Sequence, residues 1–297
     1  MRVTSKTTAD NALFNIQRAR TQIDRLNEQI ASGMNINRPG DDPIGTRQLL
    51  DLDAKLKEVA QYRSNIVKAN VWQKMTSTAL DGISSMLKQA RKLASTIISG
   101  SSDPTIVSNA VSQFSAIKKQ LVDLGNTQLG EQYLFGGFET RNAPFSNANN
   151  NFNGTSDGLQ VEINKGTTLQ INVPGDQVLL GTGPYGSVNI LNELDNMIGA
   201  VSTNNVTQIQ ASAIALDQAA GQVNNAIVDV ASKTIRLDSM DKMLVNNKNT
   251  LETLVSSIQN VDYAKAATEL NQQKTAFEAA LSATAKVSSL SLLDYLK

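Results

Sequence analysis

Apolar residues recur every three or four positions along both ends of this 297-residue chain. That spacing places them on one side of an α-helix, as in the seam of a coiled coil. The N-terminal stripe comprises Ala9, Ala12, Ile16, Ala19, Ile23, Leu26 and Ile30, and the C-terminal stripe comprises Tyr263, Ala266, Leu270, Phe277 and Ala280. Neither stripe has a packing partner in its own neighbourhood of the sequence. Both ends are therefore predicted to pack against helices from elsewhere.

The energy balance of a terminal helix leads to the same prediction. Burying a side chain such as Ile23 or Leu26 contributes about 1.5–3 kcal/mol. Ordering the backbone costs about 1–2 kcal/mol for every residue of the helix, apolar or not. A single terminal helix therefore needs partner helices to become stable. The predicted partner-binding residues are Ile16, Ile23, Leu26, Ile30, Leu270, Phe277 and Leu281.

Composition excludes several classes of function. The chain contains no Cys and no His, so thiol nucleophiles, imidazole bases and the usual zinc ligands are absent. Basic and acidic residues balance at 27 each, which argues against nucleic acid as the main partner. We therefore predict a protein that is not an enzyme, with no catalytic, cofactor-binding or metal-binding residues.

Hydropathy bears on location. No apolar run approaches the about 18 residues that a membrane span requires. The first ten residues, MRVTSKTTAD, lack the apolar core of a cleaved signal peptide. No membrane insertion is predicted, and export would have to use a route that reads a polar N-terminus.

Turn residues divide the helical parts of the chain. A first helix is predicted over about Thr8–Ile30, ending near Gly33, which suits the left-handed conformation at a helix end. Asp42-Pro43 and Asp103-Pro104 are predicted to begin the second and third helices, because Asp caps free amides and Pro fits the first helical position. The longest stripe, Val206–Ile258, predicts a further long helix. Its seam residues Leu216, Val223, Ile227 and Val230 are expected to share one buried face.

The segment between about Phe135 and Gly186 has a different period. Apolar and polar residues alternate on both sides of Asn164–Thr167, which is typical of a β-hairpin. The alternating apolar residues are Leu159, Val161 and Ile163, then Leu169, Ile171 and Val173. The predicted fold is mainly α, a long antiparallel helical bundle or coiled coil built from both chain ends, with a small β-rich insert.

One glycine pattern imitates a nucleotide site. The sequence GTGPYG at 181–186 matches G-x-G-x-x-G and precedes a helix. A dinucleotide fold needs a second parallel strand after about one helix, and here helical stripes continue instead. Pro184 also removes an amide that a phosphate would need. We interpret the glycines as a linker that leads from the insert back to the long helix.

Two segments resemble the flagellin family. They are Ile30–Gly45, IASGMNINRPGDDPIG, and Val261–Lys274, VDYAKAATELNQQK, and each lies at the end of the chain where that family carries its similar motif. Within the family, Gly130–Phe138, GEQYLFGGF, and the ending Ser288–Lys297, SSLSLLDYLK, look more like the hook–filament junction members than like filament flagellins. The insert contributes little to the resemblance.

The resemblance implies a structural subunit of the bacterial flagellum that joins hook-side proteins to the filament. It implies as partners a ring of like subunits, hook-associated protein 1, flagellin and a flagellar export chaperone. It also implies export through the flagellar secretion channel without a cleaved signal peptide. The expected domains are a terminal coiled-coil assembly domain (1–44 and 260–297), a helical rod (45–134 and 188–259) and a β-rich outer insert (135–187).

Two alternatives remain open at this point. A filament flagellin would have the same class of fold and a different set of neighbours. A cytosolic coiled-coil scaffold or signalling protein would carry similar heptad stripes, since such stripes alone most often indicate an ordinary helical bundle.

Overall fold

The computed structural model describes residues 5–99, 104–146 and 150–295. It divides into two compact units. The first unit combines the residues up to Glu58 with those from Asn246 onward, and the second unit is Val59–Val245. The domain boundaries expected from the sequence differ from this division and stay a prediction.

Six long or medium helices dominate the described residues, as predicted, and the strands are short. The helices are α1 Ser5–Ser32, α2 Pro43–Ser99, α3 Pro104–Gly125, α4 Ile190–Ser202, α5 Val206–Gln259 and α6 Tyr263–Tyr295. The strands are β1 Gln128–Leu129, β2 Gln132–Tyr133, β3 Gln160–Asn164 and β4 Thr167–Gln170. Each pair of strands forms a separate two-stranded antiparallel sheet.

The second unit contains the main apolar core. Its helices bury the stripes that the sequence predicted: on α2 the buried residues include Ile66, Leu80, Ile83, Leu87, Ala90 and Ala94, and on α3 they include Ala110, Phe114, Ile117 and Leu121. On α5, Leu216, Val223 and Val230 are buried as expected, whereas Ile227 is half-buried. Helix α4 packs against α3 and buries Ile190, Leu191, Leu194 and Met197.

Local capping explains where the helices begin. Helix α2 starts at Pro43 as predicted, and Asp42 Oδ1 accepts hydrogen bonds from the backbone amides of Ile44 at 3.1 Å and Gly45 at 3.0 Å. Asp262 Oδ1 caps α6 in the same way, and the Asn189 side chain caps α4. These oxygens satisfy amides that the first turn of a helix leaves without partners. Asp42 therefore acts as a cap, as the sequence indicated.

The insert contains the predicted hairpin, but its strands are shorter than expected. Strands β3 and β4 flank the predicted turn, but β4 ends at Gln170, before the alternating Ile171 and Val173. The Ile171 amide still donates to the Leu159 carbonyl at 2.9 Å, but the Leu159 amide donates to Asn172 Oδ1 at 2.7 Å, and Asn172 Nδ2 donates to the Asp157 carbonyl. The buried Asn172 side chain thus replaces one backbone acceptor at that end of the hairpin.

Two elements were not predicted. The β1–β2 hairpin lies just before the expected start of the insert. A π-helical turn, Asp176–Leu180, follows the β3–β4 hairpin and buries Asp176, Val178 and Leu179. A turn of five residues is too short to give a periodic signal of its own.

The GTGPYG segment links this π-helical turn to α4. Its Tyr185 hydroxyl donates a hydrogen bond to Asp229 Oδ2 at 2.7 Å. Burial, followed by the hydrogen bond and the negative charge of Asp229, raises the pKa of Tyr185, so the hydroxyl stays protonated. Buried Gln222 accepts from the Val188 amide and donates to the Val178 and Val188 carbonyls. The segment thus serves packing, in agreement with its interpretation as a linker.

Gly137 lies in a loop that leaves no room for a side chain. Its φ of +67° is left-handed, and a Cβ there would collide with the Thr155 carbonyl, because this loop is tied to Thr155 on both sides. Gly137→Ala is expected to lower the free energy of unfolding by about 1–3 kcal/mol, measured in urea. Gly130→Ala is the control, since Gly130 also has a positive φ but no atom lies within 4 Å of the place that an added Cβ would take. Equal losses in the two variants would contradict the collision.

Candidate assembly interface

Helices α1 and α6 pack against each other within the first unit. The C-terminal end of α1 meets the N-terminal end of α6 through a single antiparallel bridge between Met34 and Asn260. Because these two ends meet, the helices run antiparallel. The two stripes that lacked partners in the sequence thus supply partners for each other, which agrees with the predicted bundle of both chain ends.

Most predicted partner-binding residues lie along this pair of helices. The residues Ile16, Ile23, Leu26, Ile30, Leu270 and Phe277 are all half-buried, and Ala266 is buried. Leu281 is 44% exposed and lies beside the half-buried stripe. Tyr263, expected to begin the C-terminal stripe, is instead exposed. Tyr263 occupies the first position of α6 and lies beside Gly33, before the helices pair.

Two connecting loops hold the ends of the helices together. The Asn35 amide donates to the Gln259 carbonyl at 2.7 Å, and the Val261 amide donates to the Gly33 carbonyl at 3.0 Å. Gly33 has the left-handed φ of +73° expected at the end of α1, and a Cβ there would meet the Tyr263 hydroxyl at 2.7 Å. The left-handed turn therefore favours a glycine, whereas the Tyr263 hydroxyl ends an exposed side chain that has room to move away.

The loop between α1 and α2 is ordered by its polar side chains. Asp41 Oδ2 accepts from the Asn37 amide at 3.2 Å and the Arg38 amide at 2.9 Å. The Gln29 side chain is buried, and its Nε2 donates to the Asn35 carbonyl at 2.7 Å. Backbone groups in the turn have no partner in a helix or strand. Each of these contacts gives such a group a hydrogen-bond partner in place of water. These contacts therefore give the loop between α1 and α2 one ordered conformation.

A polar gap interrupts the apolar seam. A cavity of about 320 Å³ is lined by Gln22, Arg25, Leu26, Gln29, Asn35, Glu269, Gln272 and Gln273. Gln273 is the residue that breaks the C-terminal stripe in the sequence. A seam with polar residues buries less apolar area than an unbroken one, so the α1–α6 pair is held weakly along this stretch.

The outer side of α1 carries apolar residues that the sequence analysis missed. Leu13 is 55% and Phe14 is 62% exposed. They adjoin the seam residue Ala12 in sequence, and at about 100° per residue they turn away from the face that contacts α6. Their apolar character outside the stripe was the signal that could have identified them. Together with Leu281, they leave apolar surface uncovered on the paired helices.

The described residues contain no group of three or more His, Cys, Asp or Glu side chains able to hold a metal ion. Within the same ranges, no helix is both long and apolar enough to cross a membrane.

Comparisons with known proteins identify the family. Residues 3–140 match the family model for the bacterial flagellin N-terminal helical region, and residues 213–296 match the model for the C-terminal helical region. Flagellar hook-associated protein 3 of Escherichia coli (strain K12) is 21% identical, with 92% of each chain covered. The protein of the same name in Salmonella typhimurium is 20% identical over 99% of each chain.

The fold comparison agrees. A solved structure from Vibrio parahaemolyticus, assigned to the flagellar hook-associated proteins, superposes with a TM-score of 0.68 at 25% identity. It covers 74% of this chain and 100% of its own. The relatives are structural components of the bacterial flagellum, and the comparisons give no positive evidence of an enzyme. The chain therefore belongs to the flagellin family, and it is related along almost its whole length to flagellar hook-associated protein 3.

Proposed function

We propose that this chain is the adaptor that joins a hook-side protein, hook-associated protein 1, to the flagellin filament. The observation that carries the proposal is the antiparallel pairing of α1 with α6, which leaves Leu13, Phe14 and Leu281 uncovered. Exposed apolar surface of this kind marks a site of association. In a flagellar protein, such a site on the paired chain ends is suited to end-to-end and side-by-side assembly.

Within this proposal the parts of the chain have different roles. Residues 1–44 and 260–297 form the terminal assembly domain, residues 45–134 and 188–259 form a rod, and residues 135–187 form an insert that faces outward. The interior of the flagellum would bury the uncovered apolar residues of α1 and α6. The mechanism is mechanical, because no step in it requires a bond to be made or broken.

The proposed partners are further copies of the same chain, hook-associated protein 1, flagellin and an export chaperone. Export would proceed through the flagellar secretion channel without a cleaved signal peptide.

Deleting the gene and following flagellin tests the junction role. Cells without this chain are expected to secrete flagellin into the medium and to bear hooks without filaments. Complementation with the full chain should restore attached filaments. Immunogold labelling should place the protein at one point, where the filament begins. Filaments that remain attached in the deletion strain would reject the junction role.

Filament flagellin is the nearest rival, and the match of both chain ends to flagellin models is equally compatible with it. Purified chain that assembles alone into long filaments, detected by sedimentation and electron microscopy, would support the rival. Labelling along the whole filament would do the same. A cytosolic scaffold would instead stay inside cells that are exporting flagellar proteins.

A further inference from the structure

The insert contains a pair of residues that can react with each other, Asn153 and Gly154. It is the single Asn-Gly pair of the chain. Just before it, Phe152 forms a backbone bridge to Phe145, and the centroids of their rings lie 5.3 Å apart. In an Asn-Gly pair the backbone nitrogen of glycine can approach the side-chain amide of asparagine closely, because glycine has no Cβ to obstruct it. The pair is therefore a candidate for deamidation.

The two reacting groups have no hydrogen-bond partners among the residues that the structure describes. Asn153 is exposed, and neither its side chain nor the Gly154 amide forms a hydrogen bond within those ranges. The amides on either side are occupied. The Asn153 amide donates to the Pro144 carbonyl at 2.8 Å, and the Thr155 amide donates to the Gly136 carbonyl at 3.0 Å. The Gly154 nitrogen therefore lies between two bonded amides without losing a bond of its own when it reacts.

Thr155 fastens this stretch to the loop Gly136–Phe138. Its amide donates to the Gly136 carbonyl, and its Oγ1 accepts from the Phe138 amide at 2.8 Å. Gly154 fits tightly beside the same loop, because a Cβ there would lie 2.5 Å from the Phe152 ring and 2.7 Å from the Gly136 carbonyl oxygen. One additional backbone atom before Thr155 would therefore displace Thr155 from both hydrogen bonds.

We propose that Asn153 deamidates spontaneously and that the isoaspartyl product releases the loop Gly136–Phe138. In the first step, hydroxide removes the proton of the Gly154 amide, and the nitrogen forms a bond to Asn153 Cγ. The bond between Cγ and the side-chain nitrogen then breaks, and this nitrogen takes a proton from water and leaves as ammonia. The product is a succinimide ring, and the hydroxide is regenerated. The inference goes beyond the proposed function and does not depend on it.

Water opens the ring in the second step. Addition to the Cγ carbonyl breaks the bond from Cγ to the Gly154 nitrogen and gives an ordinary aspartate at position 153. Addition to the backbone carbonyl breaks the other bond of that nitrogen, and the backbone then runs through Cγ as isoaspartate. Over both steps one water is consumed and one ammonia is released. Only isoaspartate lengthens the backbone, so only this product is expected to displace Thr155.

Two neighbouring sites provide comparisons within the same loop. Asn151 is also exposed, but the next residue is Phe152, whose Cβ obstructs the approach of its nitrogen. Asp157 precedes Gly158 and could form the same ring. A carboxylate is a poorer electrophile than a carboxamide, however, and ring closure and opening at Asp157 leave the mass of the chain unchanged. A gain in mass in this loop therefore reports on asparagine alone.

Mass spectrometry of the aged chain tests the site. The purified full-length chain is kept in mildly alkaline buffer and digested with trypsin, which releases the peptide from Asn142 to Lys165. Fragmentation of this peptide assigns the gain in mass to a position. We expect conversion at Asn153 to be at least about tenfold faster than at Asn151. Asn153→Gln is the matched control and should keep its mass, because a glutamine side chain must close a larger ring.

Two results would overturn the site. One is a folded chain that stays unconverted at Asn153 while the same chain, unfolded in urea, converts there, because the fold would then protect the pair. The other is an equal rate at Asn153 and Asn151, because the Gly154 amide would then have no special part in the reaction. Neither result bears on the junction role, which the deletion strain tests separately.

Hydrogen exchange tests the release of the loop. The isoaspartyl fraction of the aged chain is separated by ion exchange, and we expect its Phe138 amide to exchange at least about fivefold faster than in the fresh chain, because the bond to Thr155 Oγ1 is lost. Asn153→Asp adds the same charge without the additional backbone atom and should exchange like the fresh chain. Unchanged exchange in the isoaspartyl fraction, or equally fast exchange in Asn153→Asp, would overturn the proposed release.

Discussion

Leu216→Ala is expected to lower the free energy of unfolding of the second unit by about 2–5 kcal/mol. Leu216 lies on the buried seam of α5 and has no exposed surface. Truncation to Ala removes apolar contacts and leaves a cavity that helices of this length cannot easily close. The single tryptophan, Trp72, is buried in the same unit and reports its unfolding by fluorescence in urea.

Ile214→Ala provides the control on the same helix. Ile214 is 61% exposed and only two positions away from Leu216. Substitutions at exposed positions usually change stability by no more than about 0.5 kcal/mol. If the two variants lose similar amounts of stability, the seam does not form the core, and the assignment of the buried face of α5 is wrong.

The sequence contained enough information to predict the helices. Apolar spacing identified the buried faces of α2, α3 and α5, because a helix in a core must present one continuous apolar side. Helix starts were predicted from Asp42-Pro43 and Asp103-Pro104. Helices α2 and α3 begin at Pro43 and Pro104. Asp103 itself lies outside the described residues. Local chemistry decides such boundaries, so they can be read without knowledge of the rest of the fold.

The sequence predicted less about which distant helices pair with each other. The terminal stripes predicted that α1 and α6 need partner helices, but a stripe does not name its partner. The bridge between Met34 and Asn260 joins residues whose types carry no pairing signal.

Ile23→Asp and Phe277→Asp are each expected to abolish attached filaments. Both side chains are half-buried on the paired terminal helices. An unpaired carboxylate at either position is strongly penalised once water is excluded. The substitution weakens the pairing of α1 with α6, and it also weakens any further packing of these helices in the flagellum. The core of the second unit should be unaffected, so unfolding followed by Trp72 fluorescence should match the natural chain.

Secretion separates this result from a general loss of folding. Cells that make either variant should release flagellin into the medium, as the deletion strain should, while still exporting the variant chain. Asn27→Asp and Asn271→Asp are matched controls, since each adds a carboxylate at an exposed position of the same helices with almost no change in shape. The controls should support attached filaments and motility. If Ile23→Asp and Phe277→Asp cells also keep their filaments and swim, the terminal seams do not form the joint, and the adaptor mechanism fails.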